Sequence, residues 1–280
     1  MSKQIFKTIT VSTDQLEWLY IPDVVYWESE GLKRCLQMIV PYKHNWEQTE
    51  KVPLVLFIPG SAWHRQEMYN NIPARSKLAK RGFAIAEIQY RESDLAVFPA
   101  QVIDVKRAIR FLYSIAEQFH IDTDHIFLAG DSSGGHIALL TGLTADSNEL
   151  DDAENNIPYN INGIISFYAP TDMFLTRKKG PIEDLLGVTD VALAPQLAKA
   201  ASCKTYITKE KNIPPILMFH GKEDETVSIE NSRNLFALLQ KSDKDVEYYE
   251  IEKAGHGGAV YWTDDILNIV EKFIKKLSCL

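Results

Sequence analysis

The chain reads as an α/β protein: a mostly parallel sheet with helices on both faces. Three observations predict this class. Strand-like and helix-like runs alternate from residue 53 to the end. Several strand candidates, such as Pro53-Leu54-Val55-Leu56-Phe57-Ile58, are continuously apolar, the mark of a strand buried on both faces. The stretch Gly130-Asp131-Ser132-Ser133-Gly134-Gly135 lies between an apolar, partly β-branched run and a good helix opening.

In order along the chain, Val24-Val25-Tyr26-Trp27 and Leu36-Gln37-Met38-Ile39-Val40 flank Gly31 and predict an antiparallel hairpin. Residues 48–51 form a polar loop. The strand at 53–58 runs into Pro59-Gly60-Ser61-Ala62-Trp63. A helix follows near residues 71–80, then a strand at 83–88. Pro99 opens a long helix through Phe119, with Val102, Val105, Ala108, Ile109 and Leu112 at helical spacing. The strand 125–129 leads to the glycine-rich turn and a helix from His136. Residues 146–156 are an acidic surface loop, and residues 161–167 another buried strand. The segment 170–215 breaks the alternation with a Lys/Gly/Pro-rich stretch and a helical run near 191–201. It reads as a short cap-like insert over the carboxyl edge of the sheet, where open α/β sheets place their sites. Strand 216–219, helix 228–241, strand 246–251 and an amphipathic helix 264–277 complete eight strands. No repeat or second domain is visible, so residues 1–280 read as one domain with an insert.

The chain has 280 residues, enough for one large α/β domain, and a formal net charge of −8. No basic cluster suits a phosphate-tracking surface, which argues against nucleic acid as a partner. The first seven residues hold no signal-like apolar core, and no apolar run is long enough to span a bilayer. Cys35, Cys203 and Cys279 are sparse and match no metal motif, so free thiols and a cytoplasmic location are expected.

The chemistry centres on Gly130-x-Ser132-x-Gly134. A tight strand-to-helix turn forces the serine backbone into a strained conformation, and side chains two residues away on either side would collide. Ser132 fits that frame; Ser133 does not, because Asp131 stands two residues before it. The bland alternative is a Gly/Ser loop that only packs a helix against a sheet. A serine hydroxyl needs a base, and the base needs an orienting group. His220-Gly221-Lys222-Glu223-Asp224-Glu225 follows one late strand and supplies Asp224 as the candidate acid, with Glu223 and Glu225 read as solvated. Gly255-His256-Gly257 follows the last strand and supplies His256 as the candidate base.

Among the other histidines, His44, His120 and His125 read as surface residues. His136 reads as packed behind the serine, and His220 as a core residue under the acidic loop. His64 stays unassigned. No His pair stands at metal-ligand spacing with a carboxylate, so neither a metal nor another cofactor is expected. An oxyanion hole is also needed. The N–H of Ser133 would give one donor, and Ser61 and Ala62 the remainder. Trp63, Tyr69 and Trp262 follow these loops and are candidate pocket residues, though ordinary packing explains each as well.

Together these motifs resemble the α/β-hydrolase superfamily, in its esterase and hormone-sensitive-lipase-like branch. The likeness rests on Gly130 to Gly135, on His220-Gly221 with Asp224 and Val227, and on Gly255-His256-Gly257. Tyr90-Arg91, Phe98-Pro99-Ala100 and Asp104-Val105 add to it. It covers roughly residues 50–278 and implies the α/β-hydrolase fold. The chain departs from the branch where His-Gly-Gly-Gly is usual, with Pro59-Gly60-Ser61-Ala62 instead. The resemblance implies a serine carboxylesterase for small, acetylated substrates, carbohydrate esters among them. An amidase such as an arylformamidase, a peptidase-like hydrolase and a silent binding protein on the same fold stay open. The expected partner is a small ester, not a nucleic acid or a membrane, and oligomeric state is left open. Arg91 is expected to pair with Asp131 beneath the turn.

Overall fold

The computed structural model describes residues 5–11, 16–43, 50–152, 158–175 and 180–279. His44, the start of the polar loop at 48–49, residues 153–156 of the acidic loop and residues 176–179 of the Lys/Gly/Pro-rich stretch lie outside the described residues.

The hairpin is longer than its apolar kernels suggest. Strands β1 (Leu16–Ser29) and β2 (Leu32–Lys43) pair antiparallel as far as Ser29 and Leu32. Glu30 and Gly31 join them with φ of 51° and 78°, as a two-residue turn that matches strand twist requires. That turn carries the ladder through Glu28, Lys33 and Arg34, which apolar patterning alone omits.

Strands β3 (Val52–Ile58), β4 (Ala84–Ile88), β5 (Ile121–Asp131), β6 (Gly163–Phe167), β7 (Ile216–Gly221) and β8 (Val246–Ile251) complete one eight-stranded sheet in the order β1-β2-β4-β3-β5-β6-β7-β8. β2 meets β4 antiparallel, and every later pairing is parallel. The expected mostly parallel, eight-stranded α/β sheet is thus the fold observed.

Helices cover both faces. On one face, α2 (Ala100–Ile115), α3 (Ser133–Leu143) and α6 (Glu230–Lys241) share one apolar core with Leu54, Leu56, Ile58 and Leu128, α6 lying over β7 and β8. On the other, α1 (Ile72–Ala79) and α7 (Asp264–Ser278) cover Val55, Phe57, Phe127 and Phe219. Successive strand residues point to opposite faces, so one apolar run feeds both cores. The long helix expected to reach Phe119 ends at Ile115, and a separate 3₁₀ turn spans Glu117–Phe119.

Between β6 and β7 the chain forms α4 (Pro181–Leu186), a 3₁₀ turn at Val191–Leu193 and α5 (Pro195–Ala200). The run near 191–201 is therefore split, with Pro195 opening α5. Ile182, Leu185, Leu186, Ala198 and Ala201 join the core on the α2/α3 face. The Phe98 N–H donates to Leu185 O at 2.8 Å. Among the described residues, no helix is long and apolar enough to cross a membrane.

Candidate active site

Ser132 stands at the junction of β5 and α3 with φ 51° and ψ −123°, a conformation unfavourable for any residue with a side chain. The flanking glycines make it possible. A Cβ on Gly130 would lie 2.4 Å from Gly134 O, and one on Gly134 would lie 2.0 Å from Ile58 O. The Ser132 N–H donates to Phe167 O at 2.9 Å, which ties the turn to β6. Ser132 also occupies the N-cap position of α3, whose free N–H groups favour developing negative charge.

The structure brings Ser132, His256 and Asp224 together from the ends of β5, β8 and β7. Ser132 Oγ lies 2.9 Å from His256 Nε2, and His256 Nδ1 lies 2.7 Å from Asp224 Oδ2. An ionised carboxylate only accepts, so Nδ1 carries the proton and Nε2 faces the hydroxyl as an acceptor. The two loops approach closely because Gly221 lacks a side chain; a Cβ there would sit 2.2 Å from Ala254 O.

Asp224 is locked from several sides. Its Oδ1 accepts the N–H groups of Thr226 and Val227 at 2.8 and 2.9 Å. His220 Nε2 lies 3.2 Å from Oδ2, and its Nδ1 lies 2.7 Å from Ser232 Oγ. Burial alone would raise the Asp224 carboxyl. The hydrogen bonds from His220, His256 and Val227 outweigh it and hold the group well below the ordinary carboxylate range. His220 thus lies beneath the acidic loop, and its ring reaches the carboxylate.

The loop after β3 differs in detail from expectation. Its Ala62 and Trp63 both lie in the left-handed region, with φ of 54° and 61°. The Gly60 N–H donates to Asp131 Oδ1 at 3.0 Å, and the Ser61 N–H donates to Ser133 Oγ at 2.9 Å. The N–H groups of Ala62 and Ser133 donate to no acceptor among the described residues. Of the three candidate oxyanion donors, Ser61 is therefore engaged within the protein.

A cavity of about 710 Å³ opens over Ser132 and His256. Trp262 lines it, as anticipated. Trp63 and Tyr69 do not. Trp63 is 3 % exposed and donates from Nε1 to His136 Nδ1 at 3.1 Å, so it is core. Tyr69 is 55 % exposed and donates to Asp23 Oδ1 at 2.5 Å. No described residue of 170–215 lines the cavity either; Ile182, Leu185, Leu186, Ala198 and Ala201 of that segment pack into the core on the α2/α3 face.

The pairing expected between Arg91 and Asp131 is not made. Arg91 Nε reaches both oxygens of Asp104 at 3.0 and 2.9 Å, and its backbone N–H also donates to Asp104 Oδ2. Asp104 has no exposed side-chain surface, so it needs the guanidinium more than Asp131 does. Asp131 accepts instead from Gly60 and, at 3.3 Å, from Tyr168.

Sequence reasoning missed Tyr168, Arg75 and the Asn70-Asn71 pair, which also line the cavity. Tyr168 packs edge-on against His256 with ring centroids 4.7 Å apart. Its φ of 39° was the sole local oddity, and that is invisible in sequence. Arg75 lies 3.4 Å over the Phe57 ring and 4.5 Å from the Trp262 ring, and pairs with buried Glu87 at 3.1 Å. It fixes the indole that walls the cavity. Among the described residues, no group of three or more His, Cys, Asp or Glu side chains is placed to hold a metal ion.

Comparison with known proteins agrees with this fold. Residues 42–239 match the family model described as BD-FAE. Esterase LipC of Mycobacterium tuberculosis is 29% identical, over 79% of this chain and 57% of its own length. The chain spans about half the length of the curated relatives it matches. A solved structure described as a truncated form of carbohydrate esterase from gut microbiota superposes with a TM-score of 0.83 at 24% identity, covering 98% of this chain and 100% of that one. A bifunctional GH43-CE of Bacteroides eggerthii gives 0.79 at 27%, covering 92% of this chain and 38% of that one. The strand order, the turn that carries Ser132 and the match over most of its length place this chain in the BD-FAE family, within the esterase branch of the α/β-hydrolase superfamily.

Proposed function

We propose that the protein is a serine carboxylesterase for small, short-acyl esters, with acetyl esters, including those of carbohydrates, as its substrates. The observation that carries the reading is the unbroken relay from Asp224 through His256 to Ser132, open to a cavity. Ser132 Oγ attacks the ester carbonyl carbon as His256 Nε2 takes its proton. Asp224 holds the imidazole in the required tautomer and stabilises the imidazolium. The N–H groups of Ala62 and Ser133 face the oxygen on which charge develops. Collapse of the tetrahedral species expels the alcohol, which takes the proton back from His256. Water, activated by the same imidazole, then releases the acid.

The similarity to LipC, which is described as an esterase, supports ester hydrolysis. The short-acyl preference is supported by the cavity walls, which come from the β3 loop, the start of α1 and the 257–262 turn, with no described residue of the 170–215 segment extending them into a tunnel.

The test is hydrolysis of p-nitrophenyl esters of increasing acyl length, with Ser132→Ala in parallel. Highest turnover on acetyl and butyryl esters, abolished in the variant, is the expected result. Folded protein that hydrolyses no ester but is labelled at Ser132 by a fluorophosphonate would replace this reading with an amidase. Absence of labelling would replace it with a binding protein.

A further inference from the structure

Ala62 and Trp63 pose a problem that the loop has to solve. Two successive residues with side chains sit at φ 54° and 61°, where an L-residue is disfavoured. Such a conformation persists only where neighbouring groups over-determine it. The groups that do so here are hydroxyls. Tyr90, with no exposed surface, donates to Pro59 O at 3.0 Å and lies 2.9 Å from Ser61 Oγ and 3.4 Å from Ser133 Oγ. Ser61 Oγ donates to His64 O at 2.6 Å, closing the turn from inside. The Ser61 N–H donates to Ser133 Oγ at 2.9 Å. The protons balance: Ser61 gives its own to His64 O, Ser133 gives its own to the Tyr90 oxygen, and Tyr90 shares its own between Pro59 O and Ser61 Oγ.

The geometry points to Ser133 and Tyr90 as positioning residues for a two-donor oxyanion hole. This rests on the ester-hydrolase reading above and deepens it. Ser133 holds both sides of the hole at once. Its backbone N–H is one donor, and its side-chain oxygen anchors Ser61, the residue before the other donor, Ala62. The two N–H groups are therefore set relative to each other by a single residue. Tyr90 braces the loop from beneath at Pro59 and Ser61. The Gly60 and Ser61 N–H groups hold the loop in place, and the Ala62 and Ser133 N–H groups do the electrostatic work. Ser133 is 1 % exposed, and its hydroxyl is engaged by the Ser61 N–H and Tyr90, so its side chain acts through the loop and not on substrate.

The experiment compares Ser133→Ala and Tyr90→Phe with the parent protein. Ser133→Ala keeps the residue-133 N–H and removes only the strut. Loss of a complete donor costs on the order of 10² to 10³ in kcat, so a displaced donor is expected to cost about 10- to 100-fold. KM should stay within about threefold. Affinity for phenylboronic acid, whose adduct with Ser132 places an oxygen in the hole, should fall by the same factor as kcat. Amide exchange at residues 60–63 should accelerate in Ser133→Ala, and Tyr90→Phe should show the same pattern more weakly. A Ser133→Ala enzyme with kcat within twofold of the parent would overturn the proposal. So would a fall in kcat without a matching loss of boronate affinity. If the parent hydrolyses no ester, the ester reading fails on its own account. Exchange still decides the strut in that case: unchanged protection at 60–63 in Ser133→Ala overturns it, and faster exchange supports it.

Discussion

Acidification should destabilise this protein through one histidine outside the relay. His136 on α3 is 1 % exposed and stacked edge-on against Trp63, with ring centroids 5.4 Å apart. Its Nδ1 accepts from Trp63 Nε1 at 3.1 Å, and its Nε2–H donates to Ala201 O at 2.7 Å. The neutral ring is therefore fully satisfied, and a proton on Nδ1 would set two donors against each other. Burial pushes its pKa down from 6.5 to about 4, with the Ala201 carbonyl opposing in part. The sign follows from linkage. Above pH 6.5 both folded and unfolded chains carry a neutral ring, and nothing is lost. Below it the unfolded chain takes up the proton first, so stability falls as pH drops towards 4. At about 1.4 kcal/mol per pH unit, the loss is about 2 kcal/mol by pH 5 and levels off near 3 kcal/mol below pH 4. The assay is urea unfolding at pH 7.5 and pH 5.0, on the parent and on His136→Gln, which cannot titrate. The parent should lose about 2 kcal/mol more than the variant over that interval. Equal losses in the two proteins would refute the argument.

Further predictions follow from the same geometry. Gly134→Ala would drive a Cβ to 2.0 Å from Ile58 O and 2.6 Å from Ile58 C, both backbone, so loss of folded protein or a large fall in Tm is expected by thermal melt. Asp224→Asn should keep the fold and KM but lower kcat by about 10³- to 10⁴-fold, because the amide no longer selects the Nδ1–H tautomer; steady-state kinetics on p-nitrophenyl acetate checks this. Arg75→Met leaves Glu87 buried and unpaired, with side-chain exposures of 3% and 2% in the original pair. Burial already raises the Glu87 carboxyl despite the guanidinium. A cost of about 3–5 kcal/mol is expected by urea unfolding, partly relieved by adding Glu87→Gln.

The sequence by itself determined the sheet, the turn and the chain order of the candidate site residues. Continuous apolar runs too short for a helix and bounded by turn residues suit strands covered on both faces, so Leu54 to Ile58 and Ile216 to Phe219 announced a parallel sheet. Gly130 and Gly134 announced the serine turn because the collisions they avoid are local, within a few residues of chain. Asp224 and His256 were legible from their places just after late strands.

Tertiary structure decided whatever depends on neighbours distant in sequence. Arg91 found Asp104 and not Asp131, because a fully buried carboxylate claims the nearest cation. Trp63 turned into the core towards His136, 73 residues away, and left the cavity wall to Trp262. The Ser61 N–H, a candidate donor by position, was taken by Ser133 Oγ across 72 residues. Leu185, Leu186 and Ala198, in the segment read as a cap-like insert, join the core on the α2/α3 face, a placement that apolar burial favours and sequence order does not reveal. Local sterics and apolar periodicity are written into adjacent residues and can be read from them. Hydrogen-bond partners across the fold depend on which buried polar groups meet, and only the packed chain sets that.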